Sequence, residues 1–150
     1  MVHNGMLLEE IKLAVQDSSG NQEMQSAEII SGNVFPFEVK DSAGIFLYKI
    51  SWLYPTSPPT QTTLIKNRRY LGETTMPYQG KVYDCVKFEV RELFEFDQEG
   101  YFEQEYRGVE YYAIGLGLIY YKKEISDDFA LEYKLADIYP MAVLEERFRQ

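Results

Sequence analysis

The chain has 150 residues, a formal charge of −9 at neutral pH and 15% aromatic residues, made up of thirteen Tyr, nine Phe and one Trp. That length suits one domain with its own core, and the aromatic content favours pleated, half-buried strands. An acidic balance argues against nucleic acid, whose affinity rests on Lys and Arg neutralising phosphates, and against anionic membrane surfaces.

No run reaches the roughly 20 apolar residues of a membrane helix. The start, Met1 to Gly5, has neither the basic opening nor the apolar stretch of a secretory leader. Taken alone, that favours the cytoplasm. One cysteine, Cys85, leaves no intrachain disulfide.

Along the chain, residues 6–17 fit a helical stripe and a strand about equally, but Asp17-Ser18-Ser19-Gly20-Asn21 is a strong turn. A strand ending in a hairpin is expected, with Met24 to Ile30 as its partner. Val34 to Lys40 reads as a short edge strand or bulge because of Pro36. Ile45 to Tyr54 is apolar on both faces and reads as a covered strand ending at Pro55. Residues 55–63 carry three prolines and form an exposed loop, the one place where residues 1–150 would divide if they were not a single domain.

Gly72 to Gly80 contains Pro77 and no periodicity, so it reads as a loop. Lys81 to Phe96 is a long alternating run. Val82, Val86, Phe88, Val90, Phe94 and Phe96 share one parity, as in a strand buried on one face. Such a strand is unusually long, and a bend or bulge is expected near Glu92. Asp97-Gln98-Glu99-Gly100 reads as a turn with glycine in the left-handed position, placing Phe96 opposite Phe102 and Glu95 opposite Glu103. Tyr101 to Arg107 returns and Gly108 breaks it. Tyr111 to Tyr121 has no charge and two apolar faces, so it reads as one central strand. Its glycines, Gly115 and Gly117, would clear space for an aromatic ring or the last helix. Lys122 to Asp128 turns, and Phe129 to Ala136 alternates again. Pro140 suits a first helical position, and Met141, Leu144 and Phe148 form the stripe through which a short helix would dock.

Catalytic constellations are poorly represented. The single histidine, His3, lies at the terminus, which disfavours a His-based triad and a structural zinc site. Cys85 sits mid-strand without a histidine to activate it, so packing is the favoured role. Gly115-Leu116-Gly117 lacks the third glycine and the helix of a dinucleotide loop. The acidic hairpin of Glu95, Asp97, Glu99, Glu103 and Glu105 lacks the ordered oxygen spacing of a calcium loop and reads as a solvated edge. Lys66, Arg68 and Arg69 form the one basic cluster, paired with acidic surface or open to an anionic headgroup or sugar acid. Asp84 and Glu110 are the carboxylates to consider for a hydrolase. Tyr78, Tyr83, Tyr111, Tyr112 and Tyr121 are candidates to line a groove. No cofactor is implied.

Gly80-Lys81-Val82-Tyr83-Asp84-Cys85-Val86-Lys87-Phe88, with Tyr111-Tyr112-Ala113-Ile114-Gly115-Leu116-Gly117-Leu118-Ile119-Tyr120 some 25 residues later, resembles a pattern in uncharacterised bacterial envelope proteins. These are secreted or lipid-anchored β domains, and their sheets look like the curved half-barrels of lipoprotein-carrier proteins. The resemblance covers residues 64–138 and is carried by structural residues. It implies a periplasmic or extracellular setting.

Together these readings give a mainly β chain. A single, strongly curved antiparallel sheet, half-barrel-like, would end in a short C-terminal helix. The expected function is non-catalytic: binding a lipid, peptide or polysaccharide, or acting as an interaction module. Tyr83, Tyr111, Tyr112, Tyr121, Lys66 and Arg68 are the expected ligand-binding residues. A structural subunit pairing through a sheet edge, for example as a homodimer, and a carboxylate hydrolase are the alternatives.

Overall fold

Period-two patterning turns nearly the whole chain into strands. The computed structural model describes residues 5–32, 35–36 and 45–148. In order, the strands are β1 (Gly5–Met6), β2 (Lys12–Gln16), β3 (Gln22–Ser26), β4 (Glu28–Gly32), β5 (Phe35–Pro36), β6 (Ile45–Tyr54), β7 (Thr60–Tyr78), β8 (Lys81–Asp97), β9 (Tyr101–Ala113), β10 (Gly117–Ser126) and β11 (Phe129–Lys134), followed by the helix α1 (Met141–Phe148). One seven-stranded sheet has the order β11-β10-β9-β8-β7-β6-β4, and β1-β5 and β2-β3 form two small ribbons. All pairings are antiparallel. The large sheet is strongly curved and does not close, as the half-barrel reading expects.

The N-terminal hairpin forms where the turn chemistry placed it. Asp17 Oδ1 accepts from the Ser19 and Asn21 amides, and Gly20 takes φ +86°. The expected partner strand is split at Ala27: β3 pairs with β2, whereas β4 pairs with β6. Of the expected strand at 34–40, only Phe35–Pro36 falls among the described residues. β6 has the expected bounds, with Ile50 and Ser51 buried on opposite faces, but Leu53 near its end is exposed.

Residues 72–80 are not a loop. β7 runs on to Tyr78 and joins β8 through Gln79-Gly80, both with positive φ (47° and 76°). Two such residues make the type I′ turn that asparagine-glycine usually signals, and glutamine hides it. Among the described residues β6 pairs with β7 only as far as Arg69, so none of them is paired along the side of β7 beyond it, where Pro77 lies. The bend or bulge expected near Glu92 in β8 is found instead in its partner, as a bulge in β7 at Leu71 between the pairs Tyr70↔Phe88 and Gly72↔Lys87. The β8–β9 register is as expected, with Phe96↔Phe102 and Glu95↔Glu103, but Gly100 is not left-handed.

The uncharged run 111–121 is a hairpin, not one strand. β9 ends at Ala113, and the Leu116 amide donates to the Ala113 carbonyl at 3.1 Å. Gly115 and Gly117 take φ +82° and +96°, and a Cβ on either would meet nothing within 4 Å. They serve turn geometry rather than close packing. Close packing occurs at Gly108, inside β9 and not at a break. A Cβ there would lie 2.1 Å from the Lys122 carbonyl oxygen of β10. β10 itself extends to Ser126, past the expected turn start at Lys122.

Two bulges divide the burial between the faces. Before Leu71, the even residues of β7 share a face with Phe88, Val90 and Glu92 of β8. After it, Met76 and Tyr78 face the side of Tyr83 and Cys85. A second register shift at Ile119 in β10 does the same. The concave face therefore buries Ile50, Thr62, Phe88, Val90, Glu92 and Glu110, while a smaller cluster of Tyr78, Cys85, Ala113 and Ile119 packs on the other face at the far end. α1 forms after Pro140 as expected, but Met141 is 69% exposed, so that part of the docking stripe is unpaired.

Gly108→Ala should therefore be expensive, because its new methyl meets backbone. A loss of about 3 kcal/mol or more is expected, against about 1 kcal/mol for Gly115→Ala, where only left-handed strain is added. Urea melts of the two variants check this, and equal losses would contradict the close approach at Gly108.

Candidate functional site

Four neighbouring strands bring charge together on the concave face. Lys66 and Arg68 come from β7, Glu92 from β8, Glu110 from β9 and Lys123 from β10. Register explains the meeting: Lys66 is opposite Glu92, Glu110 is opposite Tyr121, and Lys123 is opposite Gly108. Lys66 Nζ lies 3.2 Å from Glu92 Oε1 and 3.1 Å from Glu110 Oε1. Arg68 Nε donates to Glu110 Oε2 at 2.6 Å, and the Tyr112 hydroxyl donates to the same oxygen at 3.0 Å. Lys123 Nζ sits 2.5 Å from Glu92 Oε2.

These groups are withdrawn from water. Glu110 is 3% and Glu92 8% exposed. Burial pushes the Glu110 carboxyl up, but Lys66 and Arg68 outweigh it and hold the group below the usual carboxylate range. Glu92 shows the same balance, with Lys123 and Lys66 overcoming burial. Burial alone would lower the Arg68 guanidinium, yet Glu110 raises it. Burial, and then the Glu110 charge, push the Tyr112 hydroxyl up to about 12. Burial also raises Tyr48 and Tyr121. The phenols stay neutral while Glu92, Glu110 and Arg68 stay ionised.

Aromatic rings extend the site toward the β8–β9 turn. Lys123 Nζ lies 4.3 Å from the Tyr106 ring centre and 5.3 Å from that of Phe94. Phe94 stacks on Phe96 at 6.1 Å, and Phe96 on Phe102 at 6.1 Å. Phe102 is 58% exposed. Trp52 occupies the same face, paired to Thr62, which is paired to Phe96. On the other flank Tyr121 stacks on Tyr133 at 5.7 Å.

The six expected binding residues are thus split. Lys66, Arg68, Tyr112 and Tyr121 converge on the concave face. Tyr83 and Tyr111 lie on the opposite face, packed around Cys85. Arg69 also turns away and pairs with Glu89 at 3.0 Å. Asp84 and Glu110 are not brought together. Glu110 pairs with Phe88, four residues along β8 from Asp84, roughly 13 Å at strand rise. Cys85 is buried, and that burial raises its thiol pKa, which suits packing. His3 lies outside the described residues. In the acidic hairpin, the Tyr101 hydroxyl lies within hydrogen-bond reach of both Glu95 and Glu103 and has one proton to donate to either, easing the repulsion of that directly opposed pair.

Sequence reasoning passed over Glu92, Lys123 and Tyr106. One signal was present for Glu92: it is a charge at the apolar parity of 82–96, and a charge on a buried face requires a partner. A hollow of about 740 Å³ lies elsewhere, on the convex side of the β10–β11 hairpin. It is open and lined mainly by charged groups such as Glu105, Arg107, Lys122 and Asp128.

Comparison with protein-family models, curated proteins and solved structures finds no match for this chain.

Both carboxyls of the concave face are held below their unfolded pKa, so the unfolded chain takes up protons first as the pH falls. Their stabilisation is complete above about 4.5, the ordinary carboxylate value, and is lost below it as pH approaches the folded pKa values. Glu110→Gln leaves Lys66 and Arg68 without their shared counter-charge. It should cost about 3–5 kcal/mol and flatten the acid limb of stability against pH. Urea melts from neutral pH downward test both effects, and an unchanged acid limb would show that Glu110 titrates normally.

Proposed function

We propose that this chain is a non-catalytic binding domain of the cell envelope. Its concave face takes an amphipathic ligand with an anionic head and an apolar body, the chemistry of a lipid-like carboxylate. One observation carries this reading. The ladder Phe102–Phe96–Phe94–Tyr106 ends at Lys123, in a cluster where three cations meet two carboxylates. That cluster has one cation more than it has carboxylates, in a chain charged −9. The rings offer the apolar body area that is not yet buried. Lys123, with Lys66 and Arg68 behind it, offers the head a counter-charge in a weakly screened place.

The envelope setting rests on the resemblance borne by residues 80–88 and 111–120. Those stretches are spatial neighbours, with Cys85 paired to Ala113 in the small core, so the shared residues belong to one packing unit. Tyr112 and Tyr121 line the ligand face in this reading, while Tyr83 and Tyr111 support the sheet from behind.

Trp52 is the only tryptophan and lies on the ligand face, two strands or roughly 10 Å from Phe96. Titration with dodecanoate should shift its fluorescence, with dodecanol binding more weakly. Lys123→Gln should erase that preference, and Phe102→Ser should weaken both ligands about tenfold. No fluorescence response to either compound, together with no adduct in native mass spectra of the freshly purified protein, would overturn the reading.

A further inference from the structure

The two edges of the seven-stranded sheet are unlike. β4 is broken by a register shift between Ile29 and Ser31, a feature that blunts an edge. β11 pairs with β10 without a shift from Ala130 to Lys134, and all its residues but Leu131 are exposed. The Leu135 amide donates to the Ile119 carbonyl at 2.9 Å. In an antiparallel ladder that phase commits the backbone groups of Leu131 and Tyr133 to β10. It turns those of Ala130, Glu132 and Lys134 outward, unpaired. After Lys134 the chain leaves this edge, and Asp137 accepts from the Gln79 side chain at the β7–β8 turn.

We propose that the outer edge of β11 pairs with β11 of a second copy of this chain, antiparallel about a two-fold axis at Tyr133. Only some registers join outward residues to outward residues. The register that places Glu132 opposite itself sets like charges together and is disfavoured. The register centred on Tyr133 places Glu132 opposite Lys134 twice, by symmetry. Among the described residues Lys134 has no ion-pair partner, so the second copy supplies one. Tyr133 then faces its own copy in a non-hydrogen-bonded pair on the concave side, where Tyr133 is 59% exposed and already stacked on Tyr121.

A two-fold axis within a continuous sheet keeps both concave faces on the same side. The pair therefore forms one trough, with Tyr121 and Tyr133 from each copy at its centre. The joined trough as a ligand site rests on the proposed function, whereas the pairing itself does not. A six-residue edge falls short of the about 1,200 Å² of a standard interface, so association should be weak and concentration-dependent.

Sedimentation velocity of the full chain, in a concentration series reaching millimolar protein, tests the pairing without any ligand. The wild type should move from monomer to dimer and no further. Glu132→Lys and Lys134→Glu should each weaken dimerisation about tenfold or more, because each places two like-charge pairs across the axis. The double variant carrying both changes restores opposite charges and should recover the wild-type constant. Both residues are exposed, and circular dichroism shows whether each variant folds. Tyr133→Cys should cross-link to itself under mild air oxidation, since the buried Cys85 cannot compete, while Phe129→Cys should not. A wild type that stays monomeric throughout, or single variants that dimerise as well as wild type, would overturn the pairing. Either result would leave the Trp52 titration to decide the concave-face reading separately.

Discussion

Mutual neutralisation of five charged side chains on a water-poor face is the constraint on which this structure depends. The cluster spans four strands, and each ion is placed by register rather than by a neighbour in sequence. Sliding any one strand by a single residue would send its charges to the convex face and bring apolar or unpaired groups inward. A buried ion pair adds little stability compared with apolar residues of the same shape, but a half-made one is severely penalised. The network therefore acts less as glue than as a register lock. Gly108 belongs to the same device, because its missing side chain lets β9 and β10 approach beside Lys123.

Long antiparallel strands normally hold one apolar face throughout. Here bulges at Leu71 and Ile119 reverse the parity of β7 and β10 partway along. Burial is handed from the concave face to the small cluster behind the sheet without starting a new strand. The handover explains why tyrosines close in sequence part company. Tyr112 meets Glu110 on one side, while Tyr111 packs near Tyr120 on the other at 5.2 Å between ring centres. Proximity in the chain is a poor guide to a shared site wherever a sheet changes its buried side.

Much of the fold was legible in the sequence. The alternation of 81–96, the turn at 97–100 with its register, the bounds of β6 and the hairpin at Asp17 all follow from period two and turn chemistry. What failed has a common physical cause. Periodicity detects faces, not chain reversals, so a hairpin whose turn is as uncharged as its strands reads as one continuous strand, as 111–121 does. Gln79-Gly80 hides a type I′ turn behind an unusual first residue. A bulge shifts phase in one strand only, and it appeared opposite β8 rather than in it. Half of the site was legible too: Lys66 and Arg68 stood out as a basic cluster, and both reach the concave face. Their partners were not, because a contact between β7 and β9 depends on how the intervening strand places them.

Polarity on the inner face also answers a problem posed by an unclosed sheet. A half-barrel lined by apolar groups alone would leave a broad apolar surface next to two open edges, a combination that invites nonspecific association. Placing ions at the centre and rings toward the margins breaks that surface into a charged floor and two aromatic flanks. The floor cannot be covered by another apolar surface without stranding Glu92, Glu110 and their cations, so collapse is opposed by the same desolvation cost that fixes register. An occupant that leaves the ions satisfied and covers the rings escapes that cost. What locks the strands in place also selects what can enter the trough.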